Sequence, residues 1–151
     1  MRRSLALIFC LCSAFAAEAA TGKIIKVLPH FLDLQGRHTL SPSLFDRDAY
    51  QAVLREHPEQ RSAIRFDIEW KSKQPPASPL KLQLEVRGLA TRKTVVQLKL
   101  DKTVDPSGWL GAWTALTVKD DDYRKLGDLT AWRVTLWEGN RLLSEQKSFL
   151  W

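Results

Sequence analysis

Cysteine is nearly absent from this 151-residue chain, and its two copies, Cys10 and Cys12, both lie within the first dozen residues. Past Cys12 no disulfide can form and no thiolate is available to a metal. The three histidines, His30, His38 and His57, are too scattered for a zinc-ligand spacing. The triplet Asp120-Asp121-Asp122 lacks the twelve-residue pattern, with its glycine and closing glutamate, of a calcium loop. No Gly-x-Ser-x-Gly elbow accompanies Ser41 and Ser43, although both follow His38 closely; a turn and a helix cap are their expected roles. No five basic residues stand in a row, which removes the usual footprint of a nucleic-acid surface. No metal, cofactor or nucleic acid is therefore expected.

Long hydrophobic runs are also missing. The most apolar stretch, Leu5 to Phe15, is well short of the ~20 residues that span a bilayer. Arg2 and Arg3 precede it and Ala17-Glu18-Ala19 follows, the charged, apolar and small-residue regions of a secretory signal peptide over residues 1–19. Phe9 and Leu11, the residues before the two cysteines, are bulky where lipidation of a leader cysteine requires a small residue. The expectation is an exported protein, periplasmic or extracellular and bacterial, with no transmembrane segment in its mature part.

Removal of residues 1–19 leaves 132, the size of one domain spanning 20–151, large enough to bury roughly two-thirds of its unfolded surface without covalent staples. The leader takes two arginines and one glutamate with it, so the formal charge falls from +6 to +5. A basic surface favours encounter with polyanions, headgroups or acidic glycans.

The remaining chain reads mostly as strands. Lys23 to Leu34 is rich in aliphatic and β-branched residues but holds Pro29, which cannot donate to a ladder; an edge strand, or two short strands switching partners at the proline, accounts for it. Ile64, Phe66, Ile68 and Trp70 alternate with Arg65, Asp67, Glu69 and Lys71, and Leu80, Leu82, Leu84 and Val86 alternate with Lys81, Gln83, Glu85 and Arg87. Thr94 to Leu100 repeats the pattern, with Val96, Leu98 and Leu100 turned inward, and Trp113 to Val118 is a further strand candidate. Period two with one charged face describes antiparallel strands packed on one side. Only one segment shows helical spacing: Leu44, Phe45, Ala49, Tyr50, Val53 and Leu54 predict a helix over about 46–56, capped by Ser43 or Asp46, stopped by His57-Pro58 and laying one face on a sheet. Asp122 to Gly127 reads as a single helical turn closed by glycine.

Thr130 to Glu138 and Arg141 to Trp151 flank Gly139-Asn140, a two-residue hairpin loop. Pairing Glu138 with Arg141 carries Val134 to Glu145 and Trp132 to Lys147, burying two charges. A one-residue bulge near Ser144 to Gln146 removes that conflict.

About seven short strands, one peripheral helix and no βαβ alternation predict a mainly β antiparallel sandwich. Ala63 to Trp151 resembles an immunoglobulin-like or fibronectin type III-like domain, through its alternating strands, the Asp122-Tyr123 turn similar to a tyrosine corner, the strand bearing Trp132, Val134 and Leu136, and the final hairpin. The resemblance is architectural and brings no functional residue with it.

Six tryptophans are the strongest residue-level signal. Trp70 and Trp132 share parity with aliphatic neighbours and belong to the core. Trp109, in a Gly/Pro-rich loop, Trp113, and Trp137, which shares a face with Arg133, form the candidate binding surface, since exposed indoles stack on sugar rings or anchor partners. The expected function is a non-catalytic binding module for another protein or a cell-envelope component, through a sheet edge or the Trp109 to Trp113 loop. The alternatives are a carbohydrate-binding module using loop tryptophans, or a small hydrolase using Glu69 and Glu85 as paired carboxylates.

Overall fold

The computed structural model describes residues 21–73, 76, 78–90, 93–108 and 110–151. The predicted leader over 1–19 and the predicted site residue Trp109 lie outside the described residues. Seven strands and two helices follow one another: β1 (Gly22–Asp33), α1 (Leu44–Glu56), a short 3-10 turn (Pro58–Gln60), β2 (Arg61–Ser72), β3 (Leu80–Ala90), β4 (Thr94–Val104), β5 (Ala112–Lys119), α2 (Asp120–Leu126), β6 (Asp128–Glu138) and β7 (Arg141–Lys147). All strand pairings are antiparallel, in a three-stranded sheet ordered β1-β2-β5 and a four-stranded sheet ordered β4-β3-β6-β7.

Alternation builds the core between the sheets. Ile64, Phe66, Ile68 and Trp70 of β2, Leu82, Leu84 and Val86 of β3, Leu116 and Val118 of β5, and Val134 and Leu136 of β6 are all buried in one cluster. The Trp70 indole N–H, which would be costly to bury unpaired, donates to Thr114 Oγ1 at 3.0 Å. Trp132 meets Phe66 edge to face, with centroids 6.3 Å apart.

One end of the sandwich is plugged by α2, whose Leu126 is fully buried. The packing is close enough that a Cβ on Gly88 would stand 2.2 Å from the Leu126 carbonyl oxygen. Only glycine fits there. Gly127 ends the helix at φ +68°. α2 corrects the expectation of a single helix: the turn foreseen at Asp122 begins two residues earlier, because Asp120, Asp121 and Asp122 complement the positive N-terminal end while Arg124 and Lys125 face the other. A seven-residue helix is too short to show a periodic apolar face.

Helix α1 starts at Leu44 rather than near Asp46, since Ser43 is the cap and its Oγ accepts from the Asp46 N–H. The face it buries also differs from expectation. Gln51 and Leu54 are buried, whereas Leu44, Phe45 and Val53 are exposed, Phe45 at 81%. The helix caps a strand edge instead of lying on a sheet. The Gln51 side chain accepts from the Phe31 N–H at 2.8 Å and donates to the Phe31 and His38 carbonyls at 2.9 and 2.8 Å, replacing the ladder partner that β1 lacks.

Strand β1 is one continuous edge strand through Pro29, paired with β2 alone. Its last residue, Asp33, is buried and accepts from the Gln35 and Arg37 N–H groups, the Arg37 guanidinium and the Tyr50 hydroxyl. Burial alone would raise its pKa, but these donors outweigh it and hold the carboxyl at about 2.

The final hairpin carries a bulge, placed at Leu143 rather than between Ser144 and Gln146: Trp137 pairs with Leu142 and Leu136 with Ser144. Leu143 packs against the core beside Gly22, where a Cβ would stand 2.8 Å from the Leu143 side chain. The shift sets Glu145 opposite Thr135 and Lys147 opposite Arg133, so the charges face outward. It also lets Ser144 Oγ accept from the Ile24 N–H, tying β7 across to β1.

Candidate functional site

The outward residues of the four-stranded sheet form ladder rungs. Thr103, Lys81, Trp137 and Leu142 make the first, Asp101, Gln83, Thr135 and Glu145 the second, and Lys99, Glu85, Arg133 and Lys147 the third. Five cations, counting Arg87 beyond the third rung, stand against three carboxylates on this face.

On the β6 and β7 side of the third rung the charges pair with one another, although Arg133 Nε is buried without a hydrogen-bond partner among the described residues. Arg133 reaches Glu85 at 2.6 Å and Glu145 at 3.6 Å, and Lys147 meets Glu145 at 3.8 Å. Beyond β7, Ser148 donates to the Trp132 carbonyl and accepts from the Trp132 N–H, both at 2.9 Å. The chain then folds back so that the Trp151 ring meets the guanidinium carbons of Arg87 and Arg133, at 3.9 and 4.8 Å from its centroid. Trp151 thus covers the lower part of the face.

The first two rungs, together with Lys99 of the third, remain open. A groove of about 240 Å3 is lined by Lys81, Gln83, Lys99, Trp137, Gly139 and Asn140. Trp137 is half-buried and its indole N–H donates to Thr135 Oγ1 at 2.8 Å, which fixes the ring. Gln83 is only 6% exposed as a residue; its amide makes no side-chain hydrogen bond among the described residues but is not among the fully buried unpaired atoms, so it reaches solvent. Lys81 has a distant partner, Asp101 at 3.8 Å, and Lys99 has no ion pair within 4.0 Å among the described residues. The hairpin turn at Gly139-Asn140 forms the rim.

Of the predicted binding residues, Trp137 and Arg133 share this face. Trp113 does not join them: it projects from β5 on the outer face of the other sheet, opposite Glu69, and is 55% exposed. Glu69 and Glu85 are likewise on opposite sides of the sandwich, so they cannot flank one glycosidic bond, and Glu85 is engaged by Arg133. Gln83, Lys81 and Lys99 were legible as outward positions. Their convergence on Trp137 depends on the pairing of β3 with both β4 and β6.

The three-stranded sheet carries a different cluster on its outer face. His30 Nδ1 lies 3.1 Å from Asp67 Oδ2, Arg65 reaches the same oxygen at 2.9 Å, and His38 stands 3.2 Å from Arg65, with its ring 5.2 Å from that of His30. Desolvation, then the Arg65 and His30 charges, push the His38 pKa down. Burial tends to raise the Asp67 pKa, but hydrogen bonds from His30 and Arg65 lower it on balance. Ser41 and Ser43 engage Asp46, as hydroxyl donor at 2.6 Å and as cap, with no histidine contact among the described residues. The Asp120 to Asp122 triplet forms the first turn of α2, where Asp121 pairs with Arg124. No group of three or more metal-ligating side chains occurs among the described residues, and no helix there is long and apolar enough to cross a membrane.

No protein-family model matches the chain, and no curated protein matches it in sequence. Among solved structures it is similar to a crystal structure of a protein from Akkermansia muciniphila, at a TM-score of 0.57 and 7% identity over 85% of this chain and 69% of that one. At that identity the likeness concerns the mainly β antiparallel fold alone.

Proposed function

We propose that this protein is an exported, non-catalytic immunoglobulin-like sandwich that binds a glycan of the cell envelope through the outer face of its four-stranded sheet. The strand order, β1-β2-β5 facing β4-β3-β6-β7, supports the immunoglobulin-like assignment of the fibronectin type III kind. The apolar run and small-residue motif over 1–19 support export. The observation that carries the functional reading is the Trp137 groove: a fixed aromatic ring beside an amide that has no protein hydrogen bond is the pairing that sugar recognition uses, apolar ring face against indole and hydroxyls against the amide. Retention of the purified protein on immobilised envelope polysaccharide, lost in Trp137→Ala and kept in Trp113→Ala, is the expected result. Equal retention of both variants would reject the site.

A protein partner is the second reading, supported by the exposed apolar side chains of Leu40 and of Leu44 and Phe45 at the start of α1. A proteinaceous envelope component captured by the native protein but not by Leu44→Ser/Phe45→Ser would favour it.

A further inference from the structure

We infer that the groove beside Trp137 takes an acidic sugar residue, a uronate within an anionic glycan. This rests on the saccharide reading above and names its ligand class. A neutral sugar would use the indole and the amide and leave the two lysines without a role. The groove has both. Lys99 points into it with no carboxylate within 4.0 Å among the described residues, and Lys81 has only the Asp101 oxygen, at a separation too long for a hydrogen bond. The nearest other carboxylates are committed elsewhere: Glu85 and Glu145 to Arg133, and Glu138, beside the turn, to Arg141.

The residues divide the ligand between them. Trp137, held by Thr135, offers a ring face whose orientation costs no further entropy on binding. The Gln83 amide, which lines the groove without a protein hydrogen bond, can exchange water for a ring hydroxyl. Lys81 and Lys99 flank the amide on adjacent strands and meet a carboxylate as point charges. At about 240 Å3 the groove is smaller than the ~300–1,000 Å3 of sites for drug-sized ligands, which suits one sugar ring, and it is open to the sheet surface so that a polymer could continue past it. Inorganic phosphate would satisfy the lysines but leave the indole unused.

The test is binding of the purified full-length protein to polygalacturonate, alginate and hyaluronate, alongside fully methyl-esterified polygalacturonate, at low and high salt. At least one acidic polymer is expected to bind, at least tenfold more tightly than the ester, with Lys99→Met and Lys81→Met each weakening it several-fold. Gln83→Leu, close in volume and buried, should weaken acidic and esterified polymers alike, and thermal unfolding of each variant confirms that it folds. Lys125→Glu, a charge reversal at an exposed position of α2, should change binding little; a loss equal to that of Lys99→Met would mean general basic attraction and overturn the inference. Equal binding of ester and acid, still dependent on Trp137, overturns acidity while the saccharide reading stands. Failure of every polymer, the uncharged ester included, overturns both.

Discussion

The outer faces of the two sheets begin from the same sequence device and end differently. Each strand alternates apolar with polar, each face carries an outward tryptophan, and each holds an Arg–carboxylate pair, Arg133 with Glu85 on one side and Arg65 with Asp67 on the other. The four-stranded face has two interior strands, so Gln83, Glu85 and Thr135 are walled by neighbours and buried though they point away from the core. The three-stranded face has one interior strand, and its polar residues are covered by a segment arriving from β1: His38 reaches over to His30 and Arg65. There His30, His38, Arg65 and Asp67 satisfy one another. On the wider sheet the Gln83 amide and Lys99 have no such partner among the described residues, Lys81 has only Asp101 at 3.8 Å, and all three line the groove beside Trp137. Width and roofing, more than residue type, decide which outward polar groups are free to meet a ligand.

Breaking the wider face should have the largest effect on stability. Arg133→Ala leaves Glu85, whose side chain is 10% exposed, without its cation. A fully buried pair broken this way costs ~3–5 kcal/mol, and since a third of the Arg133 side chain is exposed the expected loss is about 2 kcal/mol in urea unfolding. Arg133→Met with Glu85→Gln should restore part of it.

On the narrower side the equivalent test is Gln51→Ala. Removing that amide strips the partners from the Phe31 N–H and carbonyl at the edge of β1, for an expected loss of about 1–2 kcal/mol. An unchanged urea midpoint would mean that water replaces the amide and that α1 does not guard this edge.

The two faces should also part company as pH falls. His38 has a lowered pKa in the folded protein, so below about 6.5 the unfolded chain binds the proton more readily and stability declines toward pH 5. His38→Gln should flatten that slope between pH 7.5 and 5.5, while Lys99→Met on the other face should leave it intact. The smallest effect belongs to Trp113→Ala: at 55% exposure it should alter stability by less than about 0.5 kcal/mol and leave glycan retention unchanged. A loss of retention would move the binding face to the other sheet.

Much of this arrangement was legible in the residues. Alternation in 64–71 and 80–87 located β2 and β3, Pro29 marked the edge strand, Ser43 marked the helix cap, and the clash of Glu145 and Lys147 with the apolar face demanded a bulge. The bulge fell at Leu143 because Gly22, distant in sequence, leaves room for that side chain. The buried side of α1 departs from its apolar spacing for a related reason: that spacing identifies apolar residues but not the neighbour, and the neighbour is the open edge of β1, which requires an amide.

By itself the sequence determined which residues alternate, where turns and caps fall and which side of each strand is apolar, since these follow from local geometry and the cost of burying charge. Only the tertiary structure decided which sheet each strand joins. That choice separated Trp113 from Trp137, set Glu69 and Glu85 on opposite sides, and gathered Gln83, Lys81 and Lys99 around one indole. Parity along a strand is a property of the chain, whereas adjacency across a sheet depends on contacts between residues far apart in sequence, which no local pattern records.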